Sequence, residues 1–430
     1  MKNKTLAILS PLCLCLLASN ARAALEPFTI AASESLQHHT NINHSADALA
    51  TADWMSQTEL SAAVDQALGR DKLVASAAVD FNHYGKTADK ALNATGYRAA
   101  GEFDWSTIGD LSGALGADIN RRQYLAGSTA EVPATATSEA TTVTQRNLQT
   151  DSHGFARVTL GGDSRWQIYG GGDVNQRKYS ADAFSAYEEH QWSANAGTRY
   201  STSPDLSFGL QGMYTKGQYP HGGVPVAPAT EGGPSDFSSR TVSLTSRLQA
   251  SGNSSLDGNI GYTSDSNDAL SGDRHFISGA LNWRWTPPSH ISVVLGLTRS
   301  SDADAATGAT SGTVNVNNLQ GTSINNAAHL EATYAFTPKT SLDASTDYTQ
   351  RKYTGVQQLS GNAANGTTRT VRFYLSAHFQ PTRTTDLSCG GGRETRRGDV
   401  EVLDVNNQPD NLVPAYSDNY FQCIASIKFD

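Results

Sequence analysis

Apolar and polar residues alternate one for one in stretch after stretch of this chain. In the run from Leu73, the residues Leu73, Ala75, Ala77, Val79 and Phe81 share one face, while Ser76, Asp80 and Asn82 share the other. Val371, Phe373, Leu375, Ala377 and Phe379 alternate with Arg372, Tyr374, Ser376, His378 and Gln380. Leu342, Ala344, Thr346 and Tyr348 do the same against Asp343, Ser345 and Asp347. So do Leu206, Phe208, Leu210, Gly212 and Tyr214 against Asp205, Ser207 and Gln211. A period of two is the signature of a strand with one apolar face. Three methionines and the absence of heptads argue against a long coiled coil. No apolar run within the body reaches the roughly 20 residues a membrane helix needs.

The breaks between these runs fall into two populations. The tight set is Gly69-Arg70-Asp71, Ser106–Asp110, Gly162-Asp163-Ser164, Ser201–Asp205, Ser251–Ser254, Pro287-Pro288-Ser289, Pro338-Lys339 and Pro381–Thr385. Gly, Pro, Asp and Ser supply the backbone angles such turns require. Longer linkers alternate with them near 45–52, 85–93, 125–147, 180–186, 220–236, 265–272, 302–321, 355–366 and 398–417, rich in Ala, Gly, Ser, Thr and Asn. Together the breaks predict about 18 strands, an even number, with both termini on the tight-turn side. A soluble sandwich has no reason to sort its loops by end, whereas an outer-membrane barrel has short periplasmic turns and longer outside loops. The expectation is therefore an all-β, transmembrane antiparallel β-barrel with both termini in the periplasm of a Gram-negative cell. A mean hydropathy of −0.42 does not oppose it, because only one face of each strand meets lipid. Trp105, Trp166, Trp283 and Trp285 beside tight turns, and Tyr84, Tyr124, Tyr179, Tyr219 and Tyr353 beside long loops, read as two interfacial girdles. The alternative is tyrosine's ordinary preference for strands.

The N-terminus reads as a secretory signal: Lys2 and Lys4, then a short apolar stretch from Leu6 to Ala18, then Ala21-Arg22-Ala23 as a cleavage site. Residues 1–23 would be removed and 24–430 would form a single barrel domain, with Ala24 to Asn41 as its first strand or a short tail. Cleavage removes three basic residues and no acid, so the net charge deepens from −9 to −12. An acidic exported chain repels phosphates and is a poor nucleic-acid binder. Cys389 and Cys423 remain, in a compartment where disulfides persist. A hairpin centred near 406 sets them opposite each other, which predicts a cross-strand disulfide. Two free thiols are the alternative, since directly opposed strand positions strain the bond.

Motifs for chemistry are absent: no Gly-x-Ser-x-Gly, no Walker loop and no His-Glu-x-x-His. Gly390-Gly391-Gly392 falls inside an expected strand, where glycine relieves crowding. His38, His39 and His44 form only a loose cluster without defined ligand geometry. The expectation is no enzyme, no catalytic residue, no metal and no cofactor. Parity instead points polar residues into a lumen. Asp80, Asp173, Arg177, Arg247, Arg284, Asp343, Asp347, Arg351, Arg372 and Glu394 are the candidate lining residues, with Tyr169 and Tyr374 as rings on which a sugar could stack. Along the sequence, Arg and carboxylate are interspersed there, not segregated.

Several strand-end phrases occur in a suggestive order. They are Asn93-Ala94-Thr95-Gly96-Tyr97-Arg98, Gln145-Arg146-Asn147-Leu148-Gln149-Thr150-Asp151, Gly217-Gln218-Tyr219-Pro220, Thr349-Gln350-Arg351-Lys352-Tyr353, Gln380-Pro381-Thr382-Arg383 and Arg393-Glu394-Thr395-Arg396. Together they resemble the exosortase-associated exopolysaccharide outer-membrane proteins, the EpsL-like branch of the β-barrel porins. That resemblance implies a passive conduit for a secreted exopolysaccharide. Its partners would be outer-membrane lipids, the polysaccharide, and periplasmic or inner-membrane export components. The expectation is therefore an export channel of this kind; the alternative is a general or solute-specific diffusion porin for nutrient uptake.

Overall fold

A computed structural model describes residues 28–42, 44, 47–86, 92–123, 129–132, 141–144, 146–162, 164–182, 185, 188–221, 234–267, 273–302, 319–357, 363–403, 409–411 and 415–429. The expected signal segment, its cleavage site and Tyr124 lie outside these residues. Eighteen long strands form the wall. They are β1 (Phe28–His39), β2 (Asp53–Leu68), β3 (Asp71–Tyr84), β4 (Ala94–Ser106), β5 (Leu111–Gln123) and β6 (Leu148–Leu160). Next come β7 (Trp166–Tyr179), β8 (Glu189–Ser203), β9 (Leu206–Tyr219), β10 (Ser235–Ser251), β11 (Ser254–Asn267) and β12 (Arg274–Trp285). The last six are β13 (Ile291–Asp302), β14 (Leu319–Thr337), β15 (Thr340–Gln357), β16 (Ala363–Phe379), β17 (Thr385–Leu403) and β18 (Tyr416–Phe429).

Each strand pairs antiparallel with its neighbours in the chain, and β18 returns to pair with β1 from Ile30↔Phe429 to His39↔Tyr420. The sheet is thus a closed barrel of 18 strands without a free edge. Closure satisfies every ladder N–H and C=O internally, the condition for crossing hydrocarbon with strands. Two-residue turns need residues that accept unusual backbone angles. Gly69 supplies a φ of +72° between β2 and β3. The ladder slips by one residue just before the Pro204-Asp205, Gly252-Asn253 and Pro338-Lys339 turns, as bulges do at barrel rims.

The two faces of the wall differ as lipid and water differ. Leu60, Val79, Leu115, Ile168, Leu210, Leu244, Ile260, Ile277, Leu330 and Phe373 are exposed large hydrophobics, and the register puts them all on one face, the outside. Trp166, Phe208, Trp283, Trp285, Tyr334 and Phe336 line its tight-turn margin, with the Trp283 and Trp285 rings 6.4 Å apart. The other face carries the ion pairs described below. Such an outer apolar band around a polar interior is the outer-membrane arrangement. Glu34 on β1 places a carboxylate on the outer face beside Leu36, where it accepts a hydrogen bond of 2.5 Å from the Thr58 hydroxyl on β2.

Two expectations need correction. First, the tyrosines beside the long loops do not form a lipid girdle. Tyr84, Tyr219 and Tyr353 have inward parity and are buried, Tyr84 against Ile42, Leu92 and Met55. Tyr179 is inward as well. The outward aromatics at that end include Trp54, Phe81, Tyr97, Trp192, Tyr214, Tyr262, Tyr348 and Phe421, which sit lower, where the wall still meets lipid. Second, the strands reach further than their composition suggests. β14 begins at Leu319, β16 at Ala363, and β17 runs to Leu403. Above the membrane both faces of a hairpin meet water, so alternation vanishes while pairing continues. The linker near 125–147 also holds a small hairpin, Thr129–Val132 paired with Thr141–Thr144.

Candidate functional site: the lumen wall

The register assigns each strand position to one side. Asp80, Asp173, Arg177, Arg247, Arg284, Asp343, Asp347, Arg351, Arg372, Glu394, Tyr169 and Tyr374 all occupy positions of inward parity. Their side chains do not converge on one pocket. They are spread round the wall, and many are partnered across neighbouring strands.

At mid-depth, Arg98 on β4 grips Glu59 on β2 through both terminal nitrogens, at 2.8 and 2.7 Å. This two-pronged pairing is the strong form of an ion pair. Asp151 on β6 meets Arg177 Nε at 3.1 Å and Arg122 at 3.8 Å. Arg372 donates to the Tyr420 hydroxyl at 2.8 Å.

Three inward histidines that no chemical motif marks each stand between two carboxylates. His153 lies 2.8 Å from Asp118 and 3.4 Å from Asp173. His329 lies 2.6 Å from Asp347 and 3.6 Å from Glu331. His378 lies 3.0 Å from Asp343 and 4.0 Å from Asp386. Their strand parity was the available signal, since each shares a face with the acids that flank it.

The two candidate stacking rings rest on the wall itself. Gly392 and Gly390 leave room on β17: a side chain at Gly392 would come within 2.6 Å of the Tyr420 ring, and one at Gly390 within 2.6 Å of the Tyr374 hydroxyl. The Tyr374 and Tyr420 rings stack on each other at 5.7 Å. Tyr169 similarly lies over Gly197, with the Arg199 guanidinium 5.8 Å from its centre.

The expectation that charges are interspersed fails at the tight-turn end. Arg157, Arg199, Arg247 and Arg284 stand inward near the lower ends of β6, β8, β10 and β12. Among the described strand residues the carboxylate that stands with them is Asp257, 3.4 Å from Arg247. Across the barrel, the lower ends of β14, β15 and β17 carry Glu331, Asp343 and Asp386, and those of β2 and β4 carry Asp65, Glu102 and Asp104. Two cations stand on that side: Lys72, tied to Asp65 at 3.0 Å, and Lys428 at the lower end of β18. Linear sequence hides this, because opposite walls are far apart in the chain. A cavity of about 240 Å³ opens in the basic arc among Arg199, Arg247, Asp257, Asn259 and Asn282. Two larger hollows, about 500 and 870 Å³, involve outward residues such as Leu244, Ile260, Trp192 and Lys216.

At the loop end, Asp418 ties β18 to the connection after β1. It accepts from the Asn41 backbone N–H at 2.9 Å and the Thr40 hydroxyl at 3.3 Å, and His39 Nδ1 lies 2.6 Å away. His44 Nε2 is 3.8 Å from the same carboxylate, and its ring stacks on Tyr416 at 4.8 Å. Polar atoms of His39, His44 and Asp418 therefore lie within 4.8 Å of one another. The carboxylate's acceptor capacity is already engaged, which makes the cluster a strut. Burial is the largest influence on the His44 imidazole and holds its pKa below the ordinary 6.5; Glu394 and Asp418 pull it upward, while Arg396 and His39 push it further down. His38 points outward and packs at 4.7 Å from Trp54. Cys389 and Cys423 face each other across β17 and β18 with an S–S distance of 2.07 Å, on the outer side of the wall beside Ala377 and Leu36.

No family model matches the chain, and no curated protein does. Among solved structures it is similar to the outer membrane protein OpdK from Pseudomonas aeruginosa, 13% identical over 94% of this chain and 99% of that one, with a TM-score of 0.46. It is similar to OccK2 (OpdF) of the same organism, 13% identical over 95% and 100% of the two chains, TM-score 0.47. A BenF-like porin from Pseudomonas fluorescens Pf-5 is 12% identical over 95% and 100%, TM-score 0.45. At these identities the likeness concerns nothing finer than architecture.

Proposed function

We propose that the chain is an outer-membrane diffusion channel for small charged or dipolar solutes. The observation that carries this reading is the division of the tight-turn end into a basic arc, Arg157, Arg199, Arg247 and Arg284, facing acidic groups on the opposite wall. Opposed charges on the low-dielectric walls of a narrow tube set up a transverse field, which a zwitterion lowers its energy by aligning with. An uncharged sugar, with a much smaller dipole, gains far less from such a field. The conduit passes solutes down their gradients; no reaction is assigned to it.

Export of a secreted polysaccharide is the role the family resemblance implies. A sugar polymer would be served best by accessible rings along its path. Tyr374 is stacked on Tyr420, and Tyr169 lies against its own wall beneath Arg199. We therefore rank small-solute diffusion first. Purified protein in liposomes should admit a zwitterionic amino acid faster than a neutral sugar of equal size. Equal rates would remove the proposal, and loss of secreted polysaccharide in a deletion strain with unchanged solute uptake would establish the export role instead.

A further inference from the structure

Outward positions also carry cations, toward the loop end of the strands. The densest group is on β15, β16 and β17. Arg369 and Arg397 are direct cross-strand partners on the outer face. Lys352 is diagonal to Arg369, through the pairs Lys352↔Thr367 and Gln350↔Arg369. Arg393 lies two outward positions below Arg397 on the same strand. All four are exposed, and among the described residues none has an ion-pair partner. From the tight turns up to the Arg369–Arg397 pair, the outward positions of the three strands carry no carboxylate; the first is Asp399, at the next outward position of β17, in the row of Lys352.

Two arginines directly opposite each other repel, and in a sheet such a pair is destabilising. Their forked donors match a phosphate bidentately. Phe373 stands directly across from Arg393, and Tyr348 lies two outward positions below Lys352, both in the apolar band. A group that satisfies both levels has an anionic head and acyl chains beneath it.

We infer that Arg369, Arg397, Lys352 and Arg393 form a binding site on the outer wall for the phosphate headgroup of a membrane lipid, its acyl chains lying over Tyr348 and Phe373. The inference rests on the barrel spanning the outer membrane with this face toward lipid, and is independent of what the lumen conducts. Attraction of basic residues to anionic headgroups just outside an apolar band supplies the driving force.

The test is a titration of diphosphoryl lipid A into the protein in neutral detergent, read by native mass spectrometry and by thermal unfolding. The wild type should bind it, and Arg369→Ala with Arg397→Ala should weaken binding at least about tenfold. Lipid A stripped of its phosphates should bind the wild type no better than that variant. Without lipid, the variant should unfold at a temperature no lower than the wild type, because a repulsion has been removed; with lipid A, only the wild type should gain. Arg121→Ala, an outward cation on distant β5, should change nothing. The inference is overturned by equal binding of the two lipids, by a variant that binds normally, by an equal loss in Arg121→Ala, or by displacement of the lipid with millimolar inorganic phosphate.

Discussion

Asp418 is 1% exposed, and its carboxylate holds the Thr40 hydroxyl, the Asn41 N–H and His39 in place at the loop end. Removing it leaves buried donors without acceptors, a heavier loss than that of one exposed hydrogen bond. Asp418→Ala should therefore lower the stability of the folded barrel by about 1–3 kcal/mol, measured by urea unfolding in detergent. His44 gives the same corner a pH dependence. Its folded pKa is depressed below 6.5, so the folded chain binds fewer protons than the unfolded one in the window just beneath that value. The stability it contributes is complete above about pH 6.5 and is lost as pH falls through the folded pKa. Proteolysis of the β1–β2 connection should accelerate at pH 5.5 relative to pH 7.5. His44→Phe, which keeps the ring on Tyr416 without a titrating group, should flatten that difference; persistence of the pH effect in this variant would place its origin elsewhere.

At the scale of strands and turns, pairing register decides where residues go. Register sets Cys389 against Cys423, 34 residues apart in sequence. A bond closing a loop of that length contributes on the order of 3–4 kcal/mol by constraining the unfolded chain. Thiol titration of the denatured, unreduced protein should find neither cysteine free, and the double serine variant should unfold at lower denaturant; two titratable thiols would refute the pairing. Register also explains what could be read beforehand. Runs such as Leu342–Tyr348 revealed their strands because one face meets lipid and the other water, and Gly69, Pro204 and Pro338 marked their turns. Ala363–Thr368 did not, because water on both sides of a hairpin imposes no alternation. Tyr84 and Tyr219 misled for a related reason: their nearness to a loop was legible, but the side they point to depends on where the apolar band ends.

Across the whole barrel, the property that matters is one no local pattern contains. Arg157, Arg199, Arg247 and Arg284 are separated by strands of opposite direction, and the acids facing them lie on either side of the β18–β1 closure. Parity identified such residues as inward; only closure shows which face one another. Reversing the basic arc with Arg199→Glu and Arg247→Glu should abolish the preference for zwitterions over neutral solutes, a change of about tenfold at the low end of electrostatic focusing, and move the reversal potential in a salt gradient toward cation selectivity. An unchanged potential would show that the arc does not face the conducting path. The account stands or falls on the wall itself, with water inside and lipid outside, and two adjacent alanines on β4 report on it. Ala100 has inward parity and is exposed, while Ala99 sits on the outer face between Ala77 and Ile119. Each is replaced by cysteine in the double serine background, and single-channel current is followed while a charged, membrane-impermeant thiol reagent is added. The account predicts a stepwise change in current for Ala100→Cys and none for Ala99→Cys. Equal reaction at both positions, or reaction at Ala99→Cys alone, would contradict it.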